Sequence, residues 1–404
     1  MNNFTENSLN VPKLRFPEFK GEWVRKKLGE VLEFKNGINA NKEQYGSGYK
    51  FINVLDILNN DFITYESIIG SVNIDEELFN KFSVEYGDIL FQRSSETREE
   101  VGTANVYLDE NKSATFGGFV IRGKKIGEYE PVFLNTFLKT DLSREQITSK
   151  SGGSTRYNVG QEILASISLP FPSLPEQTRI ASFFNVLDKK ISELKQKKSL
   201  LEQYKKSVMQ KLFSQELRFK DENGNEFPKW EKKKLGEVCE CLDNLRKPIN
   251  DSERQNMQGN IPYWGANNIM DYVNDYLFDE TIVLLAEDGG NFDDYKERPI
   301  ANISFGKCWV NNHSHVLKGK SIIVNEFLFY SLVHKNITGY VSGGTRAKLT
   351  KGEMLKIEIL IPSVAEQTRI ANFLSAIDEK INNTENQIQQ TQLYKKGLLQ
   401  NMFC

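Results

Sequence analysis

Glu176-Gln177-Thr178-Arg179-Ile180-Ala181 and Glu366-Gln367-Thr368-Arg369-Ile370-Ala371 are the same six residues placed 190 positions apart. The first copy is preceded by Leu174-Pro175 and the second by Val364-Ala365. From 176 to 213 and from 366 to 403 the copies align without a gap. Phe183/Phe373, Asp188/Asp378, Lys190-Ile191/Lys380-Ile381 and Tyr204/Tyr394 all recur. Self-similarity at a long fixed offset sets architecture before any other signal. The chain is an internal duplication.

Each copy carries a helical pattern. Ile180, Phe184, Leu187, Ile191, Leu194, Lys198, Leu201, Lys205, Val208 and Leu212 follow alternating steps of four and three. Ile370, Leu374, Ile377, Ile381, Thr384, Ile388, Thr391, Lys395, Leu398 and Met402 repeat them. Apolar a/d positions over more than four heptads predict long helices that pair along a seam. About 38 helical residues would span roughly 57 Å. Lysines and threonines interrupt each seam mostly in its second half, where they would fix register and offer a place for a partner to dock.

Outward from the helices, the two halves also begin alike. Leu14-Arg15-Phe16 leads to Trp23 and Leu28-Gly29-Glu30-Val31. Leu217-Arg218-Phe219 leads to Trp230 and Leu235-Gly236-Glu237-Val238. Only the middles differ. In the first, 50–57, 87–92 and 118–122 have the β-branched and aromatic content of strands, and 131–138 reads as a helix. In the second, 281–286 and 301–305 read as strands and 324–333 as a helix. Short strands at 167–170 and 357–362 precede the long helices. The expectation is an α+β fold: two mixed α/β domains joined by two long antiparallel coiled-coil helices with pseudo-two-fold symmetry. The divisions fall at 1–175, 176–213, 214–365 and 366–404.

With 404 residues, 26% charged and 39% hydrophobic, the composition is that of an ordinary soluble chain. No apolar run is long enough for a membrane helix, and the first residues lack the pattern of a secretory signal. Four scattered cysteines fit a reduced cytoplasm better than a disulfide framework. The net charge of −2 means that any nucleic-acid contact must use locally concentrated cations or a partner's charge.

Catalytic signatures are missing from the sequence. Gly319-Lys320-Ser321 lacks the upstream glycine of a phosphate-binding loop, and there is no zinc-protease or serine-hydrolase motif. Cys308 with His313 and His315 matches no common zinc spacing. Glu287-Asp288 with Asp293-Asp294 lacks the ligand alternation of a calcium loop and reads as a solvated acidic loop.

The middles instead carry donor-rich loops. Gln92, Arg93, Ser94, Ser95, Thr97 and Arg98 follow a strand directly. Trp264, Asn267, Asn268, Asn311, His313 and His315 do the same for the second middle. Arg, Gln and Asn make the bidentate contacts that distinguish base edges. Gly152, Gly153, Ser154 and Arg156, and Gly343, Gly344, Thr345 and Arg346, form glycine-arginine turns suited to phosphate. Polar loops cover most protein surfaces, so their weight comes from lying where two duplicated halves diverge.

Together the duplicated Glu-Gln helix starts, the Trp-x4-Leu-Gly-Glu-Val segments and the Gly-Gly-Ser/Thr-Arg turns resemble the specificity subunits of type I restriction-modification systems. The second copy departs slightly, with Ala365 where the first has Pro175. The resemblance implies two target recognition domains that each read one half of a split double-stranded DNA site. It implies helices that set the spacer as a ruler and dock two modification subunits and the restriction subunits. Glu176, Gln177, Arg179, Tyr204, Glu366, Gln367, Arg369 and Tyr394 would lie on that docking frame. S-adenosylmethionine, ATP and Mg²⁺ would be held by the partners, with no cofactor or metal on this chain. The rich lysine face (Lys189, Lys190, Lys195, Lys197, Lys198, Lys205, Lys206) would divide between docking, phosphate and plain solvation. The rival reading is a coiled-coil scaffold that binds only proteins.

Overall fold

The computed structural model describes residues 10–343 and 347–404. The chain divides into two compact units, residues 1–194 with 387–404, and residues 195–386. Each long helix gives its first part to one unit and its last part to the other, so the division falls inside the helices rather than at their starts.

In the first unit a four-stranded sheet runs in the order Leu32–Asn36, Val120–Lys125, Ile89–Gln92, Ala104–Val106. The central strand Ile89–Gln92 is buried along its whole length, which a continuous apolar run allows. A smaller sheet places Tyr45–Ile52 antiparallel to Ser71–Val72 and parallel to Thr115–Phe116. The strand expected at 50–57 stops at Ile52. The Asp56 carboxylate accepts the Asn53 N–H at 2.7 Å, and this local bond turns the chain into a helix, Val54–Leu58. The helix expected at 131–138 is present as Pro131–Leu138. Pro131 opens it and the Glu130 carboxylate caps the Phe133 N–H at 2.5 Å.

The second unit repeats this plan with different residues. Its four-stranded sheet runs Cys239–Cys241, Ser314–Gly319, Ile282–Ala286, Ala301–Ser304. Its smaller sheet again has one parallel pair, Gln258–Trp264 beside Lys307–Val310. A two-stranded ribbon closes each unit, Val24–Lys27 with Ser168–Phe171 and Glu231–Lys234 with Glu358–Ile361. The middles that differ in sequence therefore share a topology.

The repeated motifs meet in one lock per unit. The Arg15 guanidinium grips the Glu176 carboxylate through two bonds of 2.7 Å, and the Trp23 indole N–H donates to it at 3.3 Å. Arg218 binds Glu366 at 3.1 and 2.7 Å, and Trp230 donates at 3.2 Å. The Gln177 and Gln367 amides accept the N–H of Glu130 and of Val324 and donate to Pro172 and Pro362 carbonyls. Phe16 packs edge-on against Phe183, and Phe219 against Phe373. The first unit's Leu14 N–H donates to Asn401 on the second long helix, and Leu217 to Lys211 on the first.

The long helices are Leu174–Phe213 and Val364–Met402, 40 and 39 residues, about 60 Å each. None of the seam positions is exposed. In the first unit Phe184 faces Phe403, and Lys395 pairs with Asp188. In the second, Lys205 meets Asp378 at 2.5 Å and Lys198 meets Glu385 at 2.9 Å. As numbers rise on one helix they fall on the other, so within each unit the segments run antiparallel. The seam lysines expected to fix register do so through carboxylates of the facing helix.

Glu366 is fully buried, whereas the Arg218 side chain keeps 23% of its surface. Glu366→Ala leaves the Trp230 indole without its acceptor and the Arg218 guanidinium without its counter-charge, holding only the Phe227 and Pro228 carbonyls. It should destabilise the second unit by about 3 kcal/mol, the lower end for a broken buried pair. Urea unfolding checks this; an unchanged midpoint would show that the lock contributes no stability.

Candidate nucleic-acid interface

In the first unit, the strand Ile89–Gln92 delivers the chain to Arg93 at its end. Ser94-Ser95 then pairs with Tyr157-Asn158, and Gly152 bridges Asn158. This folds the Gly-Gly-Ser-Thr-Arg turn against the strand end, so the two sequence-selected groups are neighbours. Gly153 has φ +122°, and a Cβ there would lie 2.0 Å from the Arg156 carbonyl, so only glycine closes the turn. Arg93, Thr97, Arg98, Gly152, Gly153, Ser154 and Arg156 are exposed and Ser94 is half-buried. Arg98 is anchored on the Thr148 and Ser149 carbonyls. Gln92 and Ser95 are buried: Gln92 donates to the Ser94 carbonyl, and Ser95 donates to Glu100 and accepts the Thr97 N–H. They shape the loop and present no edge to a ligand.

The second unit builds the same end with other side chains. The Gln92–Val120 strand pair corresponds to Ala286–Ser314. Arg93 N–H donates to the Phe119 carbonyl as Glu287 N–H does to His313. Val159 N–H donates to Arg93 as Leu349 N–H does to Glu287. Asn267 donates to the Gly289 carbonyl at 2.9 Å, and Ser314 Oγ to the Gly265 carbonyl at 2.7 Å, so the 265–268 loop joins the strand end. His313 Nδ1 lies 2.5 Å from Asp288. Asn268 and Gly343 are exposed; Asn267, His313 and Trp264 are half-buried, with Trp264 donating to Ser304 Oγ. Asn311 is buried and caps the His313 N–H. Gly344, Thr345 and Arg346 lie outside the described residues.

His315 points elsewhere. It is 1% exposed, with Nδ1 2.7 Å from Asp243 and Nε2 2.9 Å from the Leu349 carbonyl. Burial opposes its charge, but Asp243, Cys241 and the Leu349 carbonyl outweigh it and push the imidazole up to about 9. Burial likewise opposes the Asp243 charge, yet the His315 and Val316 bonds hold that carboxyl down at about 2. Arg246 spans Asp243 and Glu287, and Lys348 also pairs with Glu287. Glu287 is thus part of a partly buried ion network rather than a solvated loop, whereas Asp293 and Asp294 are exposed as expected. Cys241, Asp243 and His315 offer ligand atoms within 4.8 Å of one another. An imidazolium that donates from both nitrogens has no lone pair for a metal, and Arg246 adds positive charge beside the carboxylate. Cys308 lies apart in an apolar cluster with Phe278 and Val310.

Four residues expected on the docking frame have a different place. Glu176, Gln177, Glu366 and Gln367 are at most 3% exposed and hold the locks. Their position in a first helical turn reads as surface only while their distant partners Arg15 and Arg218 go unseen. Arg179, Tyr204 and Tyr394 are exposed and Arg369 is half-buried. Sequence reading also missed Phe119, 65% exposed beside Arg93; a bulky aromatic directly after Gly117-Gly118 was the available signal. Among the described residues, no helix is long and apolar enough to cross a membrane.

The same strand-end backbone, carrying different side chains, is thus repeated on a duplicated frame. The sequence pattern of the type I restriction modification DNA specificity domain matches residues 20–203 and again 228–392, and the chain belongs to that family. A Haemophilus influenzae protein described as a type I restriction enzyme specificity subunit is 43% identical over 146 residues, 36% of each chain. The MjaIX specificity subunit of Methanocaldococcus jannaschii is 24% identical across 94% of this chain and 92% of its own. The crystal structure of a type I S subunit from M. genitalium superposes with a TM-score of 0.62 at 18% identity, covering 98% of this chain and 99% of the other. The family's DNA specificity role sets aside the protein-only scaffold.

The network sets a pH dependence. His315 titrates near 6.5 when unfolded and about 9 when folded. A raised folded value contributes stability fully below pH 6.5 and loses it as pH rises through about 9. The contribution is about 3 kcal/mol. Urea unfolding of the wild type at pH 6.5 and 9 should show this loss, and His315→Gln should flatten it. An equal decline in both proteins would assign it to other groups.

Proposed function

We propose that this chain is the non-catalytic specificity subunit of a type I complex and reads a bipartite, asymmetric site in double-stranded DNA. One observation carries the reading: two units of one topology present different side chains at the same strand end, Arg93 and Phe119 in one, Glu287 and His313 in the other. Divergent loops on a shared frame suit two unlike half-sites. Arg93, with its exposed planar guanidinium, is the base-reading candidate of the first unit. The glycine-arginine turn at 152–156 beside it suits phosphate.

The antiparallel helices act as the spacer. Their exposed apolar residues, Val186, Leu393 and Tyr394 on the first unit and Leu200 and Tyr204 on the second, suit the docking of two modification subunits, with restriction subunits joining that core. Adenine methylation with S-adenosylmethionine, and ATP- and Mg²⁺-dependent translocation and cleavage, fall to those partners in the cytoplasm.

Mapping methylated adenines in cells carrying the complete system tests this. Two short motifs separated by a fixed unspecified spacer are expected; one continuous motif would sink the reading. Arg93→Ala in the assembled complex should cost about 1–3 kcal/mol at the first half-site only. A uniform loss across sequences, with a shallower salt dependence, would mark Arg93 as a phosphate contact instead.

A further inference from the structure

The turn at Gly117-Gly118-Phe119 holds its aromatic ring out on a stiff support. Phe119 is 65% exposed, although its neighbours Phe116 and Val120 are fully buried. A single exposed apolar side chain is ordinary; this one is held where relaxation is blocked. Gly37 N–H donates to Val120, Ile38 N–H to Phe116, Gly117 N–H to Ile52, and Val120 N–H to Gly117. A Cβ on Gly37 would lie 2.2 Å from the Gly117 carbonyl oxygen, and one on Gly118 1.9 Å from Asn39 Oδ1. Backbone is packed on backbone at Gly37 and Gly117, and the Asn39 side chain fills the space beside Gly118, so the turn is braced on both sides.

The ring's chemical surroundings narrow its use. The Phe119 carbonyl accepts the Arg93 N–H at 2.9 Å, and the Arg93 guanidinium rests on the Gly118 carbonyl at 3.3 Å. An exposed phenyl and an exposed guanidinium thus leave one turn together. Arginine reads guanine through O6 and N7; a phenyl group has neither donor nor acceptor, and the apolar feature of a base edge in the major groove is the thymine 5-methyl group. The second unit provides an internal comparison. At the matching position stands His313, whose Nδ1 faces Asp288 at 2.5 Å, so there the frame presents a hydrogen-bonding ring.

We propose that Phe119 is a specificity-determining residue of the first unit, its ring packing on a thymine 5-methyl group beside the base read by Arg93, and that His313 occupies the same position with polar readout in the second unit. This rests on the reading of the chain as a two-half-site DNA specificity subunit.

The test uses the assembled complex and duplexes in which each thymine of the mapped site is replaced singly by uracil, removing only the methyl group. For the wild type, one replacement in the first half-site should weaken binding about four-fold, the worth of one buried methyl group. Phe119→Ala should weaken binding to the unmodified duplex by a similar factor and respond no further to that replacement. Phe119→Leu, which keeps an apolar contact, should retain most of the sensitivity. Replacements in the second half-site should act equally on all three proteins. Identical uracil sensitivity in wild type and Phe119→Ala, or unchanged affinity of Phe119→Ala, overturns the proposal while half-site preference persists. Loss of sequence preference in the wild-type complex would instead overturn the underlying reading.

Discussion

A carboxylate in the first turn of each long helix organises the half in which it sits. Glu176 and Glu366 would each cost several kcal/mol to bury alone. Each is made tolerable by a guanidinium fork and an indole N–H brought from the start of its own half. One interaction therefore ties three distant segments: the Leu-Arg-Phe segment, the tryptophan that opens the two-stranded ribbon, and the helix. The neighbouring glutamine adds a second anchor, holding the N-terminus of a domain helix through the Glu130 or Val324 N–H. The helix cannot rotate about its axis without breaking both. That fixes which face enters the domain core, where Phe184 and Leu374 are fully buried.

The duplication, the long helices and their seam were legible because the locks and seams need particular side chains, and so identity survived in both copies. Pairing of Arg15 with Glu176 was not legible, because 161 residues separate partners that only the closed fold brings together. This is why residues of the lock read as a docking surface. The common topology of the middles was hidden for the opposite reason. A strand needs buried apolar side chains in register, and Ile89–Gln92 and Ile282–Ala286 meet that need with different residues. Position in the ladder is kept where identity is not. The loops at 92–98 and 152–156 were found by composition, but which members face outward depends on strand register. Gln92 and Ser95 fall inward while Arg93 falls outward, a distinction that a list of polar residues does not contain.

The ion network around His315 shows how the same residue types serve structure. A histidine between a carboxylate and a carbonyl is stable as a cation only while both acceptors stay in place. Asp243 also accepts the Val316 N–H, and Glu287 holds Arg246 and Lys348. The network thereby joins the segment after Cys239–Cys241, the end of Ile282–Ala286 and Lys348, which bridges Asp288 and Ser342. In the first unit Arg93 occupies the position of Glu287, so the first unit does not repeat this network and its strand end stays open around an exposed guanidinium. The two ends are supported by different chemistry on one backbone.

That contrast shows a single backbone frame carrying two different sets of exposed side chains. Changes at exposed turn positions alter stability by only about half a kcal/mol, whereas changes in buried ionic or aromatic locks cost several. The stiffness of the Gly37–Gly117 contact belongs to the backbone, so the side chain at 119 is free to vary without moving the turn that carries it. The lock and seam hold the helix faces, the helices hold the sheets, and the sheets hold the strand ends. Each level leaves the next fewer ways to move. Sequence can diverge most where the structure below has already fixed the geometry, which is at Arg93, Phe119, His313 and the turns beside them.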